Sequence, residues 1–426
     1  MAYQLLTSES VTSGHPDKLC DYISDSILDE CLKLDPMARV AVEVLVKGLS
    51  INDKNPPNSF IIIAGEVSLK KGVKINYERI ARQAAMEIGY NSIESGMNAG
   101  DKNSCEILTL IGTQSREISQ GVSKGEGLFP EQGAGDQGIM YGYACDESEY
   151  FVELKGSYMP LPILLAHKLT SAITTARMNG DLSWARPDGK SQITIAYDLE
   201  GRPMHIDTAI IAVQHENIAD LRFSGDIEKE RSFIIEEIKQ KIIYKIMPKE
   251  LLNDDMKLII NGTGRFIIGG PEGDAGLTGR KIIVDSYGGI GRHGGGAFSG
   301  KDSSKVDRSG AYMARKVAKH IVASGLAKKC EIQIAYAIGI SEPVSINVGI
   351  NTFESSRFTD KRLEEIVKRI FDFSPLGIID KLSLNRPIYK ETSSGGHFGR
   401  FPDDFGRFSW EKIDKNIILL LKQEKY

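Results

Sequence analysis

Between Asp21 and Leu34 the apolar residues Ile23, Ile27, Leu28, Cys31 and Leu34 fall on one face at helical spacing, which predicts an amphipathic helix. Two strand-like runs follow, Arg39–Val46 and Ser59–Val67, separated by the turn-rich NDKNPPN, and a second helical period covers Tyr77–Ile88. The same order of helix, strand, strand, helix returns twice. Pro160–Met178 reads as a helix, Ser191–Tyr197 and His205–Gln214 as strands about the turn EGRP, and Ile227–Ile246 as a helix. Asp307–Leu326 reads as a helix, Glu331–Ile338 and Val344–Asn351 as strands about GISEP, and Thr359–Phe371 as a helix.

Helix starts near 18, 160 and 307 repeat at roughly 145 residues, a domain-sized period rather than a solenoid's short one. The expectation is an α+β chain of three structurally similar two-layer units in a pseudo-threefold arrangement, each a mostly antiparallel sheet with helices on one face. The units are expected at 1–115, 132–268 and 269–426. Residues 116–131 are expected to be a flexible linker or active-site loop, because QSREISQGVSKGEGLFPEQ is polar, glycine-spaced and without apolar period. Helices on one face leave the other sheet face in need of cover, by a sister unit or by a second subunit.

The composition narrows the function classes. At 426 residues and 41% hydrophobic content the chain has ample material for two or three cores. A formal charge of −4 and a pI near 6.1 argue against a general nucleic-acid binder, so any basic cluster must be local. Cys20, Cys31, Cys105, Cys145 and Cys330 are scattered without C-x-x-C spacing, which suits reduced core thiols better than a zinc site or a disulfide framework. No apolar run reaches the length of a membrane span, and MAYQLLTSES lacks the layout of a secretory leader, so a cytoplasmic protein without membrane partners is expected.

The candidate chemistry lies in short glycine-bracketed segments: GHPDKLCDYISD, EQGAGDQG, RPDGKSQ, GGPEGDAGLTGRK and HGGGAFSGKDSSKVDRS. Pro16 suits the first turn of a helix, which puts His15 and Asp17 at an N-terminus, where free amides favour phosphate. Such glycine density is unfavourable to fold unless backbone turns sharply or approaches something closely, and a ligand is the expected neighbour. The loops carry cations at Lys190, Arg280, Lys281, Lys301 and Lys305, and anions at Asp17, Asp136, Asp188, Asp274 and Asp307. Cations suit a polyphosphate and carboxylates suit its Mg²⁺, so the two signs together point to a Mg–nucleotide.

HGGGAFSGKD fits G-x-x-x-x-G-K from Gly295 to Lys301, but Asp302 stands where a P-loop has its Mg²⁺-ligating hydroxyl, and the helical period begins several residues later. A looser loop delivering Lys301, Lys305 and Asp307 is the better reading. G-x-S-x-G, H-E-x-x-H and the kinase motifs are missing. His293 and His397 adjoin glycines and read as surface histidines beside the loops.

These segments, with SESVTSGHPDKLCDYISD at the start and PIYKET and GHFGR near the end, resemble in order and over nearly the whole chain the S-adenosylmethionine synthetase family, the methionine adenosyltransferases. GAGDQG and GGGAFSGKD are the most specific of the motifs. The resemblance implies attack of methionine sulfur on C5′ of ATP, release of tripolyphosphate, and its cleavage to pyrophosphate and phosphate. It implies two Mg²⁺ at Asp17 and Asp307, K⁺ at Glu43, and His15 beside the leaving oxygen. Lys190, Arg280, Lys281, Lys301 and Lys305 match the polyphosphate cations. Asp136, Asp188, Arg265 and Phe266 match the ATP site, and Glu66, Gln114, Asp274 and Lys305 the methionine site.

Sites between the subunits of a homodimer, or of a homotetramer built from dimers, are also implied. The chain departs from the family at Gly262 and Ser303, where prolines are common, and at the SSG before GHFGR, where a tyrosine is common. The first two substitutions are expected to loosen backbone beside the site. From the residues alone a Mg–nucleotide phosphotransferase and a nucleotide-binding regulatory module remain alternatives.

Overall fold

The computed structural model describes residues 3–49, 58–114, 131–349 and 358–424. The turn expected at 52–58 and the loop expected at 116–131 lie outside the described residues except for Asn58 and Glu131. In chain order the first third contributes β1 (Gln4–Val11), α1 (Pro16–Leu34), β2 (Arg39–Gly48), β3 (Ser59–Ser68), α2 (Tyr77–Ile88) and β4 (Cys105–Gly112). The middle contributes β5 (Gly138–Cys145), α3 (Leu161–Met178), β6 (Ala185–Tyr197), β7 (Pro203–His215), α4 (Ile227–Ile238) and β8 (Lys257–Ile260). The last third contributes β9 (Gly276–Leu277), α5 (Val306–Ala323), β10 (Lys329–Tyr336), β11 (Ser345–Gly349), α6 (Asp360–Ile370), α7 (Pro375–Leu382) and α8 (Lys415–Gln423).

Among the described residues three larger sheets result, with strand orders β9-β2-β3-β4, β1-β6-β7-β8 and β11-β10-β5, besides a two-stranded pairing of Asn91–Ser92 with Met97–Asn98. Pairing is antiparallel except between β3 and β4 and between β7 and β8. Helix α1 lies over β2 with α2 beside it, α3 over β1 and β6, and α5 over β5 and β10. This is the expected repeat of two-layer α+β units. The periodicity did not reveal that the units exchange strands. β1 leaves the first third to pair with β6, from Gln4 opposite Tyr197 to Val11 opposite Lys190. β5 pairs with β10 of the last third, and β9 of the last third pairs with β2 of the first.

Local signals explain the helix ends. In α1, His15 is the N-cap, Pro16 opens the first turn and Lys33 meets the negative end of the dipole. The Asn76 side chain caps α2 through the Arg79 amide, and Gly89 ends it at φ 111°. On β2 the residues Val40, Val42, Val44 and Val46 alternate into the core beneath α1, with Ile61 and Ile63 of β3 beside them. The opposite face carries Glu43, Leu45, Glu66, Leu108 and Leu110, all exposed.

Helix α5 departs from its sequence pattern. Its cations Arg308, Arg315, Lys316 and Lys319 and its His320 would read as a solvated stripe, yet all are buried, because residues 389–412 close over that side. Glu411 receives Arg315 at 2.8 and 3.0 Å and Lys319 at 2.7 Å. Burial alone would raise the Glu411 carboxyl; the two cations outweigh it and bring it down to about 2. All five cysteines are free and buried, as expected of core thiols. Among the described residues no helix is long and apolar enough to cross a membrane.

Two outcomes follow from this packing. Glu411→Gln leaves two buried cations short of their counter-charge and should destabilise the fold by roughly 3–5 kcal/mol, read by chemical denaturation. His320 is neutral, with Nδ1 donating to the Lys316 carbonyl at 2.7 Å and Nε2 accepting from the Asp414 amide at 2.9 Å. Burial chiefly lowers its pKa, to about 4, with the Lys316 charge adding to the effect. Because the folded pKa lies below the unfolded one, stability present above about pH 6.5 is lost as the pH falls toward 4. His320→Gln should flatten the melting temperature against pH in that window by up to one proton's slope, about 1.4 kcal/mol per pH unit.

Candidate active site

The end of β1 brings His15 to the Lys190 end of β6, with the Thr12 amide donating to the Gly189 carbonyl at 2.9 Å. His15 is buried and accepts the Asp17 amide on Nδ1 at 3.2 Å, which leaves its proton on Nε2. Burial first, then the Lys281 and Lys190 charges, lower its pKa to about 3, so it is a neutral donor. Asp17 accepts the Leu277 amide at 2.9 Å and the Lys281 ammonium at 2.5 Å, with Arg280 at 3.8 Å. Burial works to raise its pKa, but the Lys281 hydrogen bond, the Leu277 amide and the nearby charge prevail, and the shift is downward. His15, Asp17, Lys190, Arg280 and Lys281 are therefore brought together at the N-terminus of α1.

A second cluster is built by HGGGAFSGKD. Lys301 pairs with Asp307 at 2.6 Å, and Lys305 with Asp302 at 2.5 Å. The loop is not a P-loop: Lys301 bridges to Ala41 of β2, and α5 starts only at Val306. Asp302 is buried and structural, accepting the Val40 amide at 2.7 Å and the Ser304 amide at 2.9 Å. Both cation loops thus run along one edge of β2, with Leu277 against Leu45 and Lys301 against Ala41. Four residues of strand separate them, about 13 Å.

The glycines answer to protein backbone more than to a ligand, which corrects the expectation from sequence. A Cβ on Gly276 would fall 2.2 Å from the Pro16 carbonyl oxygen. One on Gly300 would fall 2.0 Å from that of Val42, at a φ of +78°. His397 also differs from expectation: it is fully buried, with Nδ1 2.7 Å from the Tyr312 hydroxyl. His293 stays half-buried, accepting the Gly295 amide at 2.8 Å. Ser303, where a proline is common, donates its hydroxyl to Asn385 at 2.6 Å, a tie that a proline could not make.

The other residues singled out from sequence lie around these clusters. Asp188 is buried, accepts the Gly270 amide at 2.9 Å, and is raised by that burial to about 6. Phe266 donates its amide to His215 at 3.0 Å and lies against Gly269. Arg265 is held by Glu230 at 2.7 Å and Asn217 at 2.6 Å, an arrangement that sequence did not foresee. Asp274 and Asp136 are exposed in their loops, each accepting the amide of the following residue. Glu43 and Glu66 stand on the open face of the first sheet, opposite Ala64 and Gly112. The Gln114 amide donates to Ser68 at 3.2 Å. Sequence reading did not single out Asp21 and Asp25, although both sit at helical spacing from Asp17, and it weighed Asp302 only as the break in a P-loop match.

Among the described residues no group of three or more His, Cys, Asp or Glu side chains is placed to hold a metal ion. Asp17 and Asp307 each offer one carboxylate, which fits a Mg²⁺ that takes one or two protein oxygens and completes its shell from phosphate and water. Two carboxylates in the first turns of α1 and α5, each paired with a lysine from a glycine-bearing loop, stand with a neutral buried histidine at the α1 N-terminus.

Models of the S-adenosylmethionine synthetase N-terminal, central and C-terminal domains match residues 3–116, 131–266 and 268–412. The chain is 51% identical over 411 residues to the S-adenosylmethionine synthase of Wolinella succinogenes, covering 96% of both chains. It is 49% identical over 415 residues to that of Syntrophobacter fumaroxidans, covering 97% of both. The chain belongs to the S-adenosylmethionine synthetase family and is an enzyme of the methionine adenosyltransferase class.

The loop geometry has its own test. Gly300→Ala forces a side chain into left-handed backbone and against the Val42 carbonyl, and should lower stability by roughly 2 kcal/mol or more in chemical denaturation.

Proposed function

We propose that the chain joins ATP and L-methionine into S-adenosylmethionine. The sulfur lone pair attacks C5′, the C5′–O5′ bond breaks with its electrons passing to tripolyphosphate, and water then cleaves that product to pyrophosphate and phosphate. The observation that carries the reading is the convergence of Lys281, Arg280 and Lys190 on the His15 cap. Negative charge grows on the leaving triphosphate, and fixed cations there act more strongly in the transition state than in the ground state. His15, neutral with its proton on Nε2, is suited to hydrogen-bond the departing oxygen. Lys301 and Lys305 would hold the far end of the polyphosphate.

Asp17 and Asp307 are the residues assigned to two Mg²⁺, which when bound would neutralise phosphate charge. Lys281 and Lys301, now paired with Asp17 and Asp307, would turn to phosphate oxygens, and the two carboxylates would then be available to hold the cations. Asp136, Asp188 and Phe266 are assigned to ATP, with Arg265 acting from its place on Glu230. Glu66, Gln114, Asp274 and Lys305 are assigned to methionine, and Glu43 to K⁺. Arg280 at Asp17 and Lys301 at Asp307 belong to clusters about 13 Å apart along β2. The face with Leu45, Leu108 and Leu110 also carries Glu43 and Glu66, which supports a homodimer that closes over it and completes each site with residues of two chains. A cytoplasmic location belongs to the same reading.

Incubation with ATP, methionine and Mg²⁺ should yield S-adenosylmethionine with one pyrophosphate and one phosphate per turnover. ADP as the product would make the protein a phosphotransferase, and no turnover a binding module. Lys281→Ala should lower kcat by about 10²–10³-fold, the cost of removing one charge-stabilising donor. Wild-type kinetics in that variant would remove Lys281 from the site.

A further inference from the structure

Helix α1 carries Asp17, Asp21, Asp25 and Asp29 at four-residue intervals, so all four lie along one face. Like charges so spaced repel, and each of these carboxylates is buried, at 2, 0, 0 and 8% exposure. Every one of them accepts backbone amides from the last third of the chain. Asp17 takes Leu277 at 2.9 Å, Asp21 takes Gly279 at 2.9 Å, and Asp25 takes Gly300 at 2.8 Å. Asp29 takes Tyr389 and Lys390, both at 2.9 Å.

The second and third members sit where the cations begin. Gly279 immediately precedes Arg280 and Lys281, and Gly300 immediately precedes Lys301. Each carboxylate is itself held. Asp21 uses Oδ1 for Gly279 and Oδ2 for the Lys18 ammonium at 2.9 Å, and that ammonium also bonds Asp285. Asp25 receives both terminal nitrogens of Arg308 at 2.8 Å, and Arg308 donates to the Lys301 carbonyl at 3.2 Å. The Gly279 and Gly300 amides lie directly before the cations, so the bonds of Asp21 and Asp25 act with the β2 pairing of the same loops to set where those cations stand. Charge stabilisation depends on such preorganisation.

We propose that Asp21 and Asp25 are positioning residues for the leaving group: by fixing the Gly279 and Gly300 amides they set the affinity of the enzyme for the tripolyphosphate that the adenosyl transfer releases. The inference rests on the proposed phosphate-binding role of Lys281 and Lys301. Asp29 is the internal comparison, with the same helix face and the same bond type but a grip on residues 389 and 390. An asparagine keeps the shape of each aspartate yet presents one NH₂ where the carboxylate had an acceptor, so at Asp21 it must lose either the Gly279 or the Lys18 bond, and at Asp25 the bonds made by one of the two oxygens.

The test measures binding of inorganic tripolyphosphate with Mg²⁺ to the full chain by calorimetry, alongside KM for methionine and thermal melting. Asp21→Asn should weaken tripolyphosphate binding at least tenfold while KM for methionine stays within twofold. Asp29→Asn should stay within twofold on both, even where it lowers the melting temperature as much. Asp25→Asn carries the same expectation as Asp21→Asn and replaces it if that variant does not fold. Binding within twofold of wild type in a folded Asp21→Asn or Asp25→Asn overturns the inference, as does an equal loss in Asp29→Asn. Lys281→Ala separates the two levels: if it binds tripolyphosphate normally, the phosphate-loop reading and this inference fall together. If it loses binding and the aspartate variants do not, the inference alone falls.

Discussion

The two cation loops place glycines where they meet the rest of the protein most closely, and there their backbone takes its position from outside. Helix α1 imposes it here: four carboxylates down one face meet the amides of residues 277, 279, 300 and 389–390. The edge of β2 meets the same loops through Lys301 at Ala41 and Leu277 at Leu45. The glycines are needed because this grip is so close that a Cβ at Gly276 or Gly300 would strike backbone. Cation placement, and with it the electrostatics of the site, depends on this interlock between the first and last thirds of the chain.

The strand exchange serves the same end. β1 must run into the central sheet for His15 to meet Lys190, and β9 must join the first sheet for Arg280 and Lys281 to meet Asp17. Each sheet stays incomplete until a strand from another third arrives, so the site and the core form together. Pairings of such long sequence separation carry a loop-closure cost that local helices do not, and they favour a cooperative fold over three independent ones.

Buried charge is the recurring difficulty and is handled the same way throughout. Arg308 between Asp25 and Thr392, Arg315 and Lys319 on Glu411, and Lys18 between Asp21 and Asp285 are each matched by opposite charge and multiple hydrogen bonds. A single buried ion would be prohibitive; bidentate and shared partners make these tolerable and leave removal of any one partner costly.

The sequence by itself determined the helix and strand periods, the domain-sized repeat, the α+β class and the family, because these rest on local periodicity and on short motifs whose residue types are the chemistry. It also marked which loops carry cations and carboxylates. Only the tertiary structure decided which third of the chain completes each sheet, that Asp302 is a buried support of its loop, that His397 is buried rather than at the surface, and that the stripe of Arg315 and Lys319 faces Glu411 instead of water. It decided as well that Ser303 ties its loop to Asn385 where a proline was expected to be missed. The reason is common to all: partners 82 to 262 residues apart along the chain leave no trace in local spacing, and a charged residue reads as solvated until the segment that covers it is in place.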